Sequence, residues 1–173
     1  MPDRTALVVG AGIGGLAAAV ALREAGWHVR VFERAASPRE LGFALALAPN
    51  AMAALEELGA ARPIKADGVS PVSGEVRTDG GRLLRRFDVA GMTGRVPFYL
   101  ALRPVVHGAL LERFGSEGLE LASEAVDVEM DGPDVALRLA DGRTVMGGVL
   151  VGADGTGSVV RRQPASGRAA ASQ

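Results

Sequence analysis

The chain has 173 residues, enough for one domain or slightly more to bury a core of its own. It contains no cysteine, which excludes a disulfide framework, a thiolate metal site, an iron–sulfur cluster and a cysteine nucleophile. With 19 basic and 20 acidic residues the formal net charge is -1, which offers no electrostatic footprint for nucleic acid or an anionic membrane.

In chain order, Ala6 to Val9 is a short apolar run of the kind buried in a parallel sheet, broken sharply by Gly10-Ala11-Gly12. Its shortness, and the glycines that follow, argue against a signal peptide, and no stretch approaches the roughly 20 apolar residues of a membrane span; the expectation is a cytoplasmic protein. Ile13, Leu16, Ala17, Val20 and Ala21 then recur at the spacing of one helical face, and Gly26 ends that helix. Val29 to Phe32 reads as a second strand followed at once by Glu33, which completes a βαβ start and predicts a parallel sheet. Arg34 to Leu41 reads as a loop, Phe43 to Leu47 as a short strand, and Asn50 to Leu58 as a helix stopped by Gly59.

The middle of the chain changes character. Val72 to Arg77 and Leu83 to Asp88 are strand-like runs flanking the hairpin signal Asp79-Gly80-Gly81, and are expected to pair antiparallel, apart from the parallel sheet. Arg103 to Phe114 reads as a helix with Val106, Leu110 and Phe114 on one stripe. Leu119 to Leu121, Ala125 to Met130 and Val135 to Leu139 are further strands, and Val145 to Val151 is a single apolar strand expected to rejoin the parallel sheet in a two-layer arrangement. From Gln163 onward there is no large apolar residue to bury, which predicts a disordered tail over 163–173.

Gly10-Ala11-Gly12-Ile13-Gly14-Gly15 is a G-x-G-x-x-G between a strand and a helix. In that setting the first glycine permits the tight turn, the second lets a pyrophosphate approach the backbone, and the third, Gly15, allows close packing of helix on sheet. The helix N-terminus offers unpaired N–H groups and a positive dipole end to phosphate. Glu33 lies about 20 residues on, where an acidic side chain accepts hydrogen bonds from the adenosine ribose and repels a 2′-phosphate; the site therefore suits FAD or NAD rather than NADP, and the motif alone does not choose between them.

Two later segments bear on that choice. Asp154-Gly155-Thr156-Gly157-Ser158-Val159-Val160-Arg161, after an apolar strand, and Arg103-Pro104-Val105-Val106, opening a helix, resemble the single-component FAD-dependent aromatic hydroxylases of the para-hydroxybenzoate hydroxylase type. The family pattern D-G-x-x-S-x-x-R is met at Asp154, Gly155, Ser158 and Arg161, and its Arg-x-x-Leu helix start at Arg103, with Val106 in the leucine position. Gly42 and the stretch from Ala48 to Gly59 are similar to the family's segment after the ribose acid, although Ala44 stands where the family usually has glycine.

The resemblance covers about residues 4 to 162. It implies an α/β, Rossmann-like βαβ FAD-binding domain with a parallel sheet and an antiparallel β insertion, over residues 1–162. It implies FAD as cofactor with NAD(P)H as reductant, and hydroxylation of an aromatic or polyketide-like small molecule. The cofactor-binding set it implies is Gly10, Gly12, Gly14, Gly15, Glu33, Arg34, Arg39, Arg103, Asp154 and Gly155. Arg103 would meet the pyrophosphate region, and Asp154 with Gly155 the ribityl and pyrophosphate portion.

The family's second flavin motif, beginning Gly-Asp-Ala, has no counterpart here, so the C-terminal part of the family fold is expected to be missing. The readings left open are the FAD-binding portion of a monooxygenase, a non-catalytic dinucleotide-binding remnant, and one half of a split flavoenzyme whose other half is a separate chain. No side chain stands out as a catalytic acid or base. His28 and His107 are the only histidines and no carboxylate spacing joins them into a metal site, while Ser158 lacks the G-x-S-x-G elbow of a hydrolase.

Overall fold

A computed structural model describes residues 4–37, 42–92 and 97–162. In chain order these form β1 (Thr5–Val9), α1 (Ile13–Glu24), β2 (His28–Phe32), β3 (Ala44–Leu47), α2 (Pro49–Glu57), α3 (Ala61–Asp67), β4 (Ser73–Arg77) and β5 (Leu83–Asp88). There follow the one-turn α4 (Val89–Met92), β6 (Tyr99–Leu102), α5 (Arg103–Phe114), β7 (Leu119–Glu120), β8 (Ala125–Asp131), β9 (Asp134–Leu139), β10 (Thr144–Gly147), β11 (Val149–Gly152) and a 3₁₀ turn, Val160–Arg162. The chain divides into two compact units, one built from residues up to 39 together with those from 114 onward, the other from residues 40–113.

In the first unit β11, β1, β2 and β7 lie side by side, all parallel. β1 is buried along its whole length, as its uninterrupted apolar run requires of a strand covered on both faces. Because side chains alternate across a strand, Ala6 and Val8 share one face with their register partners Val29 and Val31, and α1 packs there through Leu16, Ala19 and Val20. Leu7, Val9 and Phe32 point the other way, into a core completed by Val128, Val135, Leu137, Leu139 and Val145 of the antiparallel sheet β8–β9–β10. The unit thus has three layers rather than the expected two, because the alternating strands after Leu119 supply an apolar face that covers the second side of the parallel sheet.

The run from Val145 to Val151 is not one strand. Thr144–Gly147 pairs antiparallel with β9, and only Val149–Gly152 joins the parallel sheet, beside β1. The chain changes sheets where it passes the start of β1: a Cβ at Gly147 would stand 2.7 Å from Leu7 Cγ, and the Gly148 N–H donates to the Thr5 carbonyl at 2.9 Å.

In the second unit β3 and β6 form an antiparallel pair, with α2 against β3 and α3 against β6, around buried Leu47, Met52, Leu55, Ile64 and Ala101. β4 and β5 form a separate two-stranded antiparallel sheet, as expected for Val72 to Asp88, and Gly81 takes φ +81° in the turn. The Val106, Leu110 and Phe114 stripe of α5 is buried. α3, α4 and β6 fall where the sequence pattern marks no regular element. Among the described residues no helix is long and apolar enough to cross a membrane.

Candidate functional site

The glycines between β1 and α1 divide by what surrounds them. Gly10 has φ +99°, donates its N–H to the Phe32 carbonyl at 2.8 Å, and lies so close to the end of β11 that a Cβ would stand 2.5 Å from the Ala153 carbonyl oxygen. A Cβ at Gly15 would collide with the carbonyl oxygen of Gly10. These two glycines let the helix, the turn and two strands meet. Gly12 and Gly14 face open space instead, with no atom within 4 Å of where a Cβ would be. Gly12 is the N-cap of α1, no side chain caps that end, and the first turn carries no acid, so the first-turn amides and the positive dipole end are free to meet an anion.

Glu33, half-buried at the end of β2, holds this loop in place. Its Oε2 accepts the Ala11 N–H at 2.8 Å and its Oε1 the Ala35 N–H at 2.9 Å. Each oxygen retains accepting capacity beyond that one bond, since an ionised carboxylate has about four lone-pair positions. The carboxylate is thus both a brace for the glycine turn and an acceptor beside it.

Because β11 pairs with β1, Val9 opposite Gly152, the loop Ala153–Ser158 emerges next to the glycine turn. The Ala153 N–H donates to the Val9 carbonyl at 2.8 Å, and a Cβ on Gly10 would lie 3.2 Å from Asp154 Cα. Asp154 caps the 3₁₀ turn: Oδ2 accepts the N–H of Val159 at 2.6 Å and, at 3.4 Å, that of Val160. Oδ1 is buried and has no hydrogen-bond partner. Gly155 takes φ +77°, and Arg161 donates back to the Thr156 carbonyl at 2.5 Å. Gly152, Asp154, Gly155, Ser158, Val160 and Arg161 line a cleft of about 250 Å³.

Burial raises the affinity of the Asp154 carboxyl for its proton, but the Ser158 hydroxyl and the N–H groups of Asp154, Val159 and Val160 outweigh it and hold the group below its ordinary 3.8. A depressed folded value contributes stability that is present above 3.8 and lost as pH falls through the folded value. Asp154→Asn is therefore expected to flatten the acid limb of a plot of Tm against pH; an unchanged limb would show that the carboxylate does not hold the loop.

Arg34 follows Glu33 directly and is exposed; Arg39 lies outside the described residues. Arg103 opens α5 in the second unit, where its N–H donates to the Phe43 carbonyl at 2.9 Å. The structure thus brings Gly10, Gly12, Gly14, Gly15, Glu33, Asp154 and Gly155 to the carboxyl ends of β1, β2 and β11. Sequence reading missed the partners that fix Glu33, because Ala11 and Ala35 act through backbone amides, which leave no side-chain signal. Among the described residues no cluster of His, Asp and Glu could hold a metal ion.

A dinucleotide fits this arrangement on three counts: open space over the amides of a helix start, a carboxylate with spare acceptors one strand over, and a buried carboxylate oxygen lacking a donor. The comparisons with known proteins agree. The chain is 36% identical over 162 residues to Aurachin C monooxygenase/isomerase of Stigmatella aurantiaca, covering 92% of this chain and 42% of that protein. It is 35% identical over 159 residues to 3-amino-4-hydroxybenzoate 2-monooxygenase of Streptomyces cremeus, covering 90% and 40%. The crystal structure of Klebsiella pneumoniae HpxO complexed with FAD and uric acid superposes with a TM-score of 0.81 at 28% identity, over 91% of this chain and 40% of that one. The chain therefore spans about two fifths of the length of these relatives. Residues 3–170 match the family model described as FAD binding domain, and the chain belongs to that family.

Proposed function

We propose that the first unit holds FAD, and that the chain is the FAD-binding portion of an NAD(P)H-dependent flavin monooxygenase acting on an aromatic or polyketide-like small molecule. The observation that carries this reading is the adjacency of two loops on neighbouring parallel strands, one with uncapped helix amides under open glycines, the other with the partnerless Asp154 Oδ1. The pyrophosphate would lie on the amides at Gly12 and Gly14, where its charge meets the helix dipole. Glu33 would accept from the adenosine ribose hydroxyls while still bracing Ala11, and Asp154 Oδ1 would accept from a hydroxyl on the flavin side. By the resemblance, Arg103 would meet the pyrophosphate region and Arg39 the phosphates, and Arg34 belongs to the same cofactor-binding set. Bound FAD would supply redox and oxygen chemistry; the chain's own residues bind and orient it.

The test is a calorimetric titration of the 173-residue chain with FAD, NAD and NADP. Glu33→Ala is expected to cost about 1 to 3 kcal/mol of FAD affinity, the range for leaving buried hydrogen-bonding groups unpaired. Equal affinity of wild type and variant would refute the ribose assignment.

A second reading, in which a separate polypeptide supplies the rest of the catalytic site, is favoured by one observation. The β3–β6 pair leaves Ala44, Ala46, Leu100 and Leu102 exposed on one face, and apolar faces of this kind mark contact surfaces. NAD(P)H oxidation, peroxide release and product formation over a panel of phenols separate the two: near-stoichiometric product from the 173 residues alone would exclude a required partner, whereas peroxide without product would favour it.

A further inference from the structure

Glu33 is held through its backbone as well as its carboxylate, by a segment almost ninety residues further along the chain. Its N–H donates to the Glu120 carbonyl at 2.9 Å, its carbonyl accepts the Ser123 N–H at 2.8 Å, and the Ala35 carbonyl accepts the Ala122 N–H at 3.0 Å. That segment is poorly supported by its own ladder. β7 is only two residues long and forms the edge of the sheet, and Ala122, two residues beyond it, takes φ +50°, a conformation that disfavours any residue with a Cβ. Side-chain contacts from outside the sheet add to its support.

Arg143, in the turn between β9 and β10, reaches both ends of this segment. Its Nη1 donates to Glu120 Oε2 at 2.8 Å and its Nη2 to Ser123 Oγ at 3.4 Å, while Asp141 Oδ2 accepts from Nε at 2.7 Å and aims the guanidinium. Arg30 occupies the other oxygen of Glu120, with Nε at 3.0 Å and Nη2 at 2.5 Å, so the carboxylate is held from two sides. Burial pushes the Glu120 carboxyl up, but the two arginines outweigh it and hold the group below its ordinary 4.5, which keeps the clamp charged at neutral pH.

We propose that Arg143 is a positioning residue for Glu33, bracing the segment Glu120–Ser123 to which the Glu33 backbone is hydrogen-bonded. The proposal rests on the reading that Glu33 meets the adenosine ribose. Arg143 touches no part of that site itself and acts only through Glu120 and Ser123.

The test is a double-mutant cycle read as Kd for ADP and for FAD on the 173-residue chain: wild type, Arg143→Met, Glu33→Ala, and both together. Arg143→Met keeps the aliphatic stem and removes the charged fork. It is expected to weaken ADP and FAD by the same factor, about 3- to 10-fold, and to add nothing once Glu33 is Ala, as coupled residues do. Arg143→Lys, which can keep the Glu120 ion pair but not the reach to Ser123, is expected to recover part of the loss. Ser123→Ala supplies a milder cut of the same path should Arg143→Met fail to fold, with a smaller loss that also vanishes in the Glu33→Ala background. Unchanged ADP affinity in Arg143→Met, with Glu33→Ala still weakened, would overturn the proposal alone. An equal loss in both backgrounds would also overturn it, by showing a role in general stability only. A wild type that binds no ADP, or a Glu33→Ala variant that matches it, overturns the ribose reading and this proposal together.

Discussion

Gly15→Ala is expected to destabilise the chain severely, and Gly14→Ala, one residue earlier, to stabilise it. At Gly15 the new methyl meets the Gly10 carbonyl oxygen, a backbone atom that cannot rotate away, and Ala153 Cβ at 3.2 Å. Overpacking against rigid backbone puts the cost at about 3 kcal/mol or more, which for a chain of this size is roughly 6–12 °C in Tm. At Gly14 the methyl enters open space in the first turn of a helix, where alanine in place of glycine contributes about 0.5–1 kcal/mol. Gly12→Ala separates folding from binding. Its φ of -72° suits any residue and nothing lies within 4 Å, so Tm without ligand should move by no more than about 2–4 °C, or about 1 kcal/mol, from the poorer N-cap. The methyl would occupy the space proposed for phosphate, so FAD affinity should fall at least about tenfold, or about 1.4 kcal/mol. Thermal unfolding with and without FAD reads all three variants. A Gly12→Ala chain that binds FAD as well as wild type would remove the pyrophosphate from this turn.

Leu137→Ala should be the most damaging truncation in the layer opposite α1. Leu137 is fully buried at the centre of β9, the middle strand of its sheet, and joins Leu7, Val9 and Phe32 in one core. Removing three buried heavy atoms from such a site costs about 2–5 kcal/mol, or roughly 4–20 °C in Tm. A ligand that binds only the folded state offsets part of the loss by mass action, so saturating FAD should raise the midpoint of the variant as it raises that of wild type. Val126→Ala, at a position 45% exposed on β8, is the control and should shift stability by less than about 0.5 kcal/mol. Equal effects at Leu137 and Val126 would mean that the antiparallel sheet is not part of the unit's cooperative core.

The parts of the fold that were legible in the sequence are those whose signal is local. The βαβ start and α5 have strong periodicity and clear breakers, and Arg103–Phe114 matches the expected helix residue for residue. α3 carries Pro63 and only seven residues, too few for a helical period to stand out, and β6 is four residues running straight into α5 with no breaker between. The apolar run from Val145 to Val151 reads as continuous because hydropathy records burial and not which sheet does the burying. What divides it is the close pass of Gly147 over Leu7, a contact between residues 140 positions apart. The site shows the same division. The proposed roles of Gly10, Gly12, Gly15, Glu33 and Asp154 rest on residue type and motif order, which the sequence displays, whereas the path from Arg143 through Glu120 and Ser123 to Glu33 depends on three segments that only the folded sheet brings together.

The order of strands in the parallel sheet also constrains how the chain can be made. Among the described residues β1 comes first in chain order, yet one of its two neighbours, β11, comes last, with Ala6 paired to Val149. Closing a loop of that length before any reward is collected is entropically slow, and the contacts involved are among the most non-local the chain offers. A nascent chain emerging from the ribosome at about 5–20 residues per second would therefore carry β1 with one unpaired edge for several seconds, paired at most with β2. Over that interval the buried, largely apolar strand Thr5–Val9 is open to pairing with another chain, and a translational pause before β11 has emerged from the ribosome should lower the soluble yield more than one placed after it has emerged.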